Sequence, residues 1–255
     1  MINFKELNNK KIIVTGSSTG IGFETAIEFL NLNAKVIFHG NNSIKNLEKK
    51  IKTKSKSNKF HIIQSDFSDI NNVQKFIEEA VTFLGGLDVL VNNAGTMIGR
   101  YNLLDIQNKD FDKIFDLNAK SVYFLIKHSL QEFKKNKEGC IINVSTISAR
   151  SGGSVGSSVY ASSKAFVSSL TRSLVSELSP LNIRINAISP GTIDTKFHQQ
   201  YSTKEKLEKT KNLIPMKRLG NSFDCVGPII FLSMKSLSGY ITGQVIEVNG
   251  GQFFN

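Results

Sequence analysis

Thr15-Gly16-Ser17-Ser18-Thr19-Gly20-Ile21-Gly22 stands directly after a short apolar run, residues 11–15. It leads into residues 20–31, where Ile21, Ala26, Ile27, Phe29 and Leu30 recur at helical spacing. A strand that passes into a helix through a glycine turn opens a βαβ unit. Glycine permits the tight bend and a close backbone approach, while the free N–H groups and the positive end of the helix dipole favour a pyrophosphate. The spacing is GxxxGxG rather than the commoner GxGxxG dinucleotide fingerprint. Glycine turns of this kind also serve purely structural ends, so the surrounding chain has to decide.

Outward from this turn, strand-like and helix-like patterns alternate to the end of the chain. Residues 34–39 read as a second strand, followed by a lysine-rich helix over 44–54 and a third strand over 60–64. A helical period over 70–84 leads to a fourth strand at 87–92, and one long helix is expected over 110–133. The β-branched run 140–144 reads as a buried strand, and 159–178 as a helix stopped by Ser179-Pro180. A sixth strand, 183–188, is stopped by Pro190-Gly191, and Ser222 is placed to cap a last helix through Phe231 before a final strand at 245–248. The polar stretch 192–214 fits a mobile lid better than core. The layout predicts one α/β domain over residues 1–255, a Rossmann-type doubly wound parallel sheet of about seven strands with helices on both faces.

With 255 residues, 40% of them hydrophobic, the chain has enough apolar material for one such core. No apolar run has membrane-spanning length, and Met1-Ile2-Asn3-Phe4-Lys5-Glu6-Leu7 lacks the pattern of a secretory leader, so a cytoplasmic location is expected. Cys140 and Cys225 are too few and too poorly patterned for a disulfide framework or a metal site, and no metal is expected. The net charge of +11 raises the possibility of nucleic acid or an anionic membrane as partner. The lysines are spread along the chain, densest over 45–59 and 204–211, as on solvated faces, and neither partner is expected. A basic surface would still attract an anionic substrate or an acidic carrier.

Tyr160 and Lys164 are four residues apart on a predicted helix, so their side chains share one face. A phenol ordinarily titrates near ~10, and an adjacent ammonium favours the phenolate, bringing the hydroxyl closer to acid/base use at neutral pH. Taken alone, the same spacing also describes a core tyrosine beside a solvated lysine. The wider pattern carries more weight. Thr15 to Gly22, Asn92-Asn93-Ala94-Gly95, Asn118, the Ser145/Thr146 pair, Tyr160-Ala161-Ser162-Ser163-Lys164 and Pro190-Gly191 follow one another in a fixed order. In these motifs, and over nearly its whole length, the chain resembles the short-chain dehydrogenase/reductase family, and its overall pattern is similar to the 3-oxoacyl-carrier-protein reductases.

The resemblance implies hydride transfer between NAD(P) and an alcohol/carbonyl pair. Tyr160 would act as acid/base, Lys164 would bind the nicotinamide ribose, and Asn118 would relay protons through water. The catalytic hydroxyl falls on Thr146, with Ser145 and Ser148 as alternatives because the loop to Tyr160 is one residue longer than usual. The cofactor would lie along Gly16, Ser18, Thr19, Gly20, Ile21 and Gly22 in the turn, then Asn41, Asp66, Phe67, Asn93, Ala94 and Gly95. Tyr160, Lys164, Pro190, Gly191 and Ile193 would complete its site. A homotetramer built through two long helices and the last strand is implied too, with Leu125, Ile126, Phe166, Val167 and Leu170 as candidate interface residues or as ordinary core.

An acidic residue at the end of the second strand would bind the NAD ribose and repel a 2′-phosphate. Gly40 occupies that position, followed by Asn41 and Asn42 with Lys45 nearby, so NADP(H) is favoured and NAD(H) is possible. Thr19 stands where many NADP-binding relatives carry Arg or Lys. Asp66 would contact adenine or cap the next helix. The substrate is a small-molecule or carrier-bound carbonyl, chosen by 96–102, 151–159 and the lid. A 3-oxoacyl thioester leads, a sugar or polyol follows, and a catalytically silent NADP-binding regulator is the third reading.

Overall fold

β1 (Lys11–Val14) turns Ile12 and Val14 to one face and Ile13 to the other, and all three are fully buried. Successive side chains alternate across a strand, so an apolar run without alternation requires cover on both faces. The chain supplies it. In this computed structural model, which describes residues 4–42 and 44–254, seven parallel strands form one sheet in the order β3-β2-β1-β4-β5-β6-β7. The first three residues of the stretch read for a leader lie outside the described ones.

After β1 come α1 (Gly20–Asn31), β2 (Lys35–Gly40), α2 (Leu47–Lys54), β3 (Phe60–Gln64), α3 (Asn71–Leu84) and β4 (Val89–Asn92). The second half holds α4 (Asn108–Phe115), α5 (Ser121–Asn136), β5 (Gly139–Val144), α6 (Ser148–Ser151), α7 (Ser158–Ser173), α8 (Val175–Leu178) and β6 (Ile183–Pro190). The chain then runs through α9 (Lys196–Tyr201), α10 (Lys204–Leu213), α11 (Val226–Ser233), α12 (Lys235–Ser238) and β7 (Val245–Val248). Among the described residues no helix is long and apolar enough to cross a membrane, and no His/Cys/Asp/Glu group is arranged to hold a metal.

Strand register lines up one row of core residues across the sheet, Ile37, Ile13, Leu90, Ile141 and Ile185. That row packs against α3, α5 and α7 through residues such as Phe76, Phe133 and Val167. Val14, Phe38, Val91 and Ile142 face the other way, against α1, α2 and α11. Each such side chain contributes about 1.5–3 kcal/mol on leaving water. Leu125, Ile126, Val167 and Leu170, candidates for an interface, are core residues of the layer formed with α3, α5 and α7, and of the five candidates only Phe166 is exposed.

Several boundaries differ from the sequence reading. The expected helix 110–133 is two helices joined by a π turn, Asp116–Lys120, which carries Asn118. β6 continues to Pro190, because Pro190 faces Val248 of β7 and its carbonyl still accepts the Ile147 amide. The last cap is Asn221, not Ser222: its side chain accepts the Phe223 and Asp224 amides while the Asp224 carboxylate accepts the Asn221 amide. Residues 192–214 contain α9 and α10, which lie over the cleft described next.

Candidate active site

The strand order reverses at β1, which lies between β2 and β4, and a cleft of about 770 Å³ opens there beyond the carboxyl ends of the strands. It is lined by the glycine turn, the ends of β2, β4, β5 and β6, and by α7 and α9.

The turn is shaped by what approaches it. Gly16 has φ +62°, and a Cβ there would lie 2.7 Å from Ala94 Cα. A Cβ on Gly22 would run into Asn93 Nδ2, which donates to the Thr15 and Gly16 carbonyls at 3.0 and 3.1 Å. Thr15 Oγ1 in turn accepts the amides of Asn93 and Ala94, both at 3.0 Å. The motif Asn93-Ala94-Gly95 thus braces the turn from β4, and only glycine leaves room for it. From the β2 side, buried His39 accepts the Gly16 amide on Nδ1 at 2.9 Å and donates from Nε2 to the Ser65 carbonyl at 3.0 Å. Its ring stacks on Phe67 at 4.1 Å, and burial pushes its pKa down to about 4. Sequence reasoning gave His39 no role, since a lone histidine at a strand end has no motif. The amides of Gly20, Ile21 and Gly22 have no acceptor within their helix, and the Thr19 side chain does not cap them.

Gly16, Ser18, Thr19, Gly20, Ile21, Asn41, Asp66, Phe67, Asn93, Ala94, Gly95, Thr146, Tyr160, Lys164, Pro190, Gly191 and Ile193 all line the cleft. Gly22 and Asn118 do not. Asn42 lines it as well, whereas Lys45 stays outside it. Asp66 does not cap α3: its Oδ1 accepts the Ser68 amide and hydroxyl at 2.9 and 2.7 Å. Burial acts to raise its pKa, but the hydrogen bonds from Ser68 and Asn41 outweigh this and hold the carboxyl below its usual range.

Lys164 is 3% exposed and donates to the Val144 carbonyl at 2.8 Å, at the end of β5. Burial pushes its pKa down to about 8. Tyr160, one helical turn earlier, keeps part of its surface open to the cleft, yet its crowded surroundings, with Tyr201 adding to them, push the phenol well above its ordinary value. Both influences on the phenol act upward, whereas the sequence led to the expectation that Lys164 would draw it toward neutrality. Ser145 is turned inward, with Oγ 2.6 Å from Ser168 Oγ and donating to the Lys164 carbonyl at 3.2 Å, while Thr146 is half-buried on the cleft wall. Ser148 also reaches the wall.

Asn118 is fully buried in the π turn. Its Nδ2 donates to the Thr96 and Ile114 carbonyls at 2.8 and 2.7 Å, and its Oδ1 accepts the Thr96 amide at 3.0 Å. The side chain therefore clamps the loop after β4 and does not itself line the cleft.

The segment 192–214 brings residues that no motif marked. The Phe197 ring lies 5.5 Å from that of Tyr160 and 5.0 Å from that of Tyr201. Tyr201 Oη meets Thr96 Oγ1 at 2.8 Å, and Arg100 Nε donates to the Tyr201 carbonyl at 2.7 Å. Gln252, near the C-terminal end, holds the turn after β6, accepting the Thr192 amide at 2.9 Å.

A family model described as Enoyl-(Acyl carrier protein) reductase matches residues 16–252. The chain is 32% identical to 2-dehydro-3-deoxy-D-gluconate 5-dehydrogenase of Dickeya dadantii over 253 residues, covering 98% of each protein. It is 33% identical to 3-oxoacyl-[acyl-carrier-protein] reductase FabG of Aquifex aeolicus over 251 residues, 97% of this chain and 99% of the other. Among solved structures it superposes on NADH-dependent reductase A1-R' complexed with NAD with a TM-score of 0.85 at 31% identity, covering 99% of this chain and 100% of that one. Sequence motifs, sheet order and these likenesses agree, and the chain belongs to the short-chain dehydrogenase/reductase family, an NAD(P)-dependent oxidoreductase.

Proposed function

We propose that this chain reduces the ketone of a small polar molecule with NADP(H), Tyr160 acting as the proton donor and Lys164 as its cationic neighbour. One observation carries the reading: Tyr160 and Lys164, a helical turn apart on α7, both line the cleft that the glycine turn opens.

The residues fit the dinucleotide. Three open amides at the start of α1 offer an anion site for its pyrophosphate, and the clearance at Gly16 lets the backbone come close. In this reading Asp66 and Phe67, which line the cleft, serve the adenine end, and Asn93, Ala94, Gly95, Pro190, Gly191 and Ile193, which line it too, serve the nicotinamide half. No carboxylate stands at the end of β2, where Asn41 and Asn42 meet the cleft, which supports NADP over NAD. When bound, the cofactor supplies a hydride to the carbonyl carbon. Tyr160 Oη gives its proton to the carbonyl oxygen, and its raised pKa keeps that proton in place at neutral pH. Thr146 steadies the oxygen with its hydroxyl. Lys164 holds positive charge beside the ribose, and Asn118 positions the loop that carries Gly95 and Thr96. Oxidation of the alcohol reverses the proton's path.

Relatives act on both substrate classes read from the sequence. The cleft walls carry Thr96, Arg100, Ser148, Ser154, His198 and Tyr201 beside the apolar Met97, Ile98, Ile147 and Leu207, and the polar members support a hydroxylated ketone as substrate. Phe197 and its helix α9 serve as the lid. We extend the proposal to a homotetramer, supported by the exposed rings of Phe111, Tyr123 and Phe166 on α4, α5 and α7. The two buried, unpaired thiols, Cys140 and Cys225, suit the reducing cytoplasm.

A stopped assay of NADPH and NADH consumption over ketonic sugars, oxoacyl thioesters and simple ketones tests this. Faster NADPH consumption with the polar ketones is the expected result. Tight dinucleotide binding with no consumption in any class would favour the silent regulator instead.

A further inference from the structure

The substrate can be named more closely, on the basis of the reduction reading above. Arg100 and Lys206 both reach the cleft wall, one from the loop after β4 and one from α10. Arg100 Nη1 and Lys206 Nζ both donate to Ser154 Oγ, at 2.9 and 3.1 Å. Two cations brought to one neutral hydroxyl repel each other, and the Lys206 ammonium is held below its usual range by burial and by Arg100. Among the described residues neither forms an ion pair. Elsewhere the chain pairs such groups, as in Arg218 with Asp224 and Lys235 with Glu138.

His198 joins them from α9. Its Nδ1 is buried without a hydrogen-bond partner among the described residues, a state that costs free energy unless a ligand completes it. Burial and Arg100 push its pKa down to about 4, and Asp194 opposes them without prevailing. Phe197 bridges this group to the proton donor. Its ring is 5.5 Å from Tyr160 and 5.3 Å from His198, so the histidine ring lies no more than about 11 Å from the phenol.

We propose that Arg100, Lys206 and His198 form an anion subsite that takes the carboxylate of a short oxo acid or ketonic sugar acid whose carbonyl lies at Tyr160. Two cations and a neutral ring N–H match the several lone pairs of a carboxylate. The span of at most about 11 Å from His198 to Tyr160 limits the substrate to a short one, with carbonyl and acid in the same small molecule. The phosphate of a carrier-bound thioester sits a whole pantetheine arm from its carbonyl and does not match that spacing. The cofactor's 2′-phosphate belongs at Asn41 and Asn42, at the end of β2.

The test uses straight-chain oxo acids of four to six carbons and their uncharged methyl esters. Each is titrated calorimetrically into the NADP-saturated enzyme and assayed for NADPH oxidation. The best acid is expected to bind at least about tenfold tighter than its ester. In Arg100→Gln with Lys206→Gln that ratio falls toward one, and Arg100→Lys retains much of it. Esters that bind as well as acids across the panel, or an acid preference that survives removal of both cations, would overturn the subsite. Turnover without acid preference counts against the subsite alone. Acid preference without turnover supports the subsite and counts against the reduction reading.

Discussion

His39 Nδ1 accepts the Gly16 amide, and the same ring is buried against Phe67, so one imidazole fixes the first bend of the glycine turn. That nitrogen must be unprotonated to accept. Its pKa is about 4 in the folded chain against ~6.5 unfolded, so between these values the unfolded chain binds more protons. Stability is full above about pH 6.5 and is lost as pH falls toward 4, by about 2 kcal/mol at pH 5. Urea unfolding from pH 7 to 5 checks this. The slope should shrink in His39→Gln, and an unchanged slope would contradict it.

Lys164 sets a second dependence, of opposite origin. Burial lowers its pKa to about 8, so the folded chain resists a charge that the unfolded chain carries up to ~10.4. The cofactor-free protein is therefore penalised below pH 8 and gains stability as pH rises from there. Lys164→Met should stabilise the cofactor-free protein at pH 7 by roughly 1–2 kcal/mol, less than the full shift because the Val144 carbonyl loses its donor. The same change should remove most turnover. Thermal unfolding without cofactor reads the first effect, and a lower melting point would refute it.

Gly22→Ala pushes a methyl group into Asn93, which holds the Thr15 and Gly16 carbonyls. The turn must shift, and dinucleotide affinity should fall by at least about tenfold, a loss of ~1.4 kcal/mol. Fluorescence titration with NADPH measures it. Gly152→Ala, where a Cβ meets nothing within 4 Å but φ is +78°, should cost some stability and leave cofactor affinity as it was.

Phe197 touches Tyr160, Tyr201 and His198. Phe197→Ala removes this contact without altering either proton donor or cofactor turn. KM should rise several-fold while the NADPH dissociation constant stays level. Loss of cofactor affinity in this variant would instead place the ring on the dinucleotide side.

The fold was legible because its strands are buried on both faces and read as unbroken apolar runs, as residues 140–144 show. The π turn at Asn118 escaped because a one-residue change of helical period leaves the apolar pattern intact. Most of the residues proposed for the cofactor lay in ordered motifs, and they line one cleft. The upward push on Tyr160 was not legible because spacing shows only that the two groups share a helix face, while their burial follows from the elements packed around α7. His39, Arg100 and Phe197 were illegible because the partners that define them, Gly16, Ser154 and Tyr160, lie on other elements and far away in sequence.

Tyr160→Phe probes the central claim most directly, since it deletes one hydroxyl and keeps the ring against Phe197. NADPH binding and NADPH-dependent ketone reduction should be measured side by side on this variant and the parent chain. The account requires cofactor affinity within about twofold of the parent and a fall in kcat of roughly 100-fold or more, the scale of a lost general acid. Reduction at the parental rate would contradict it.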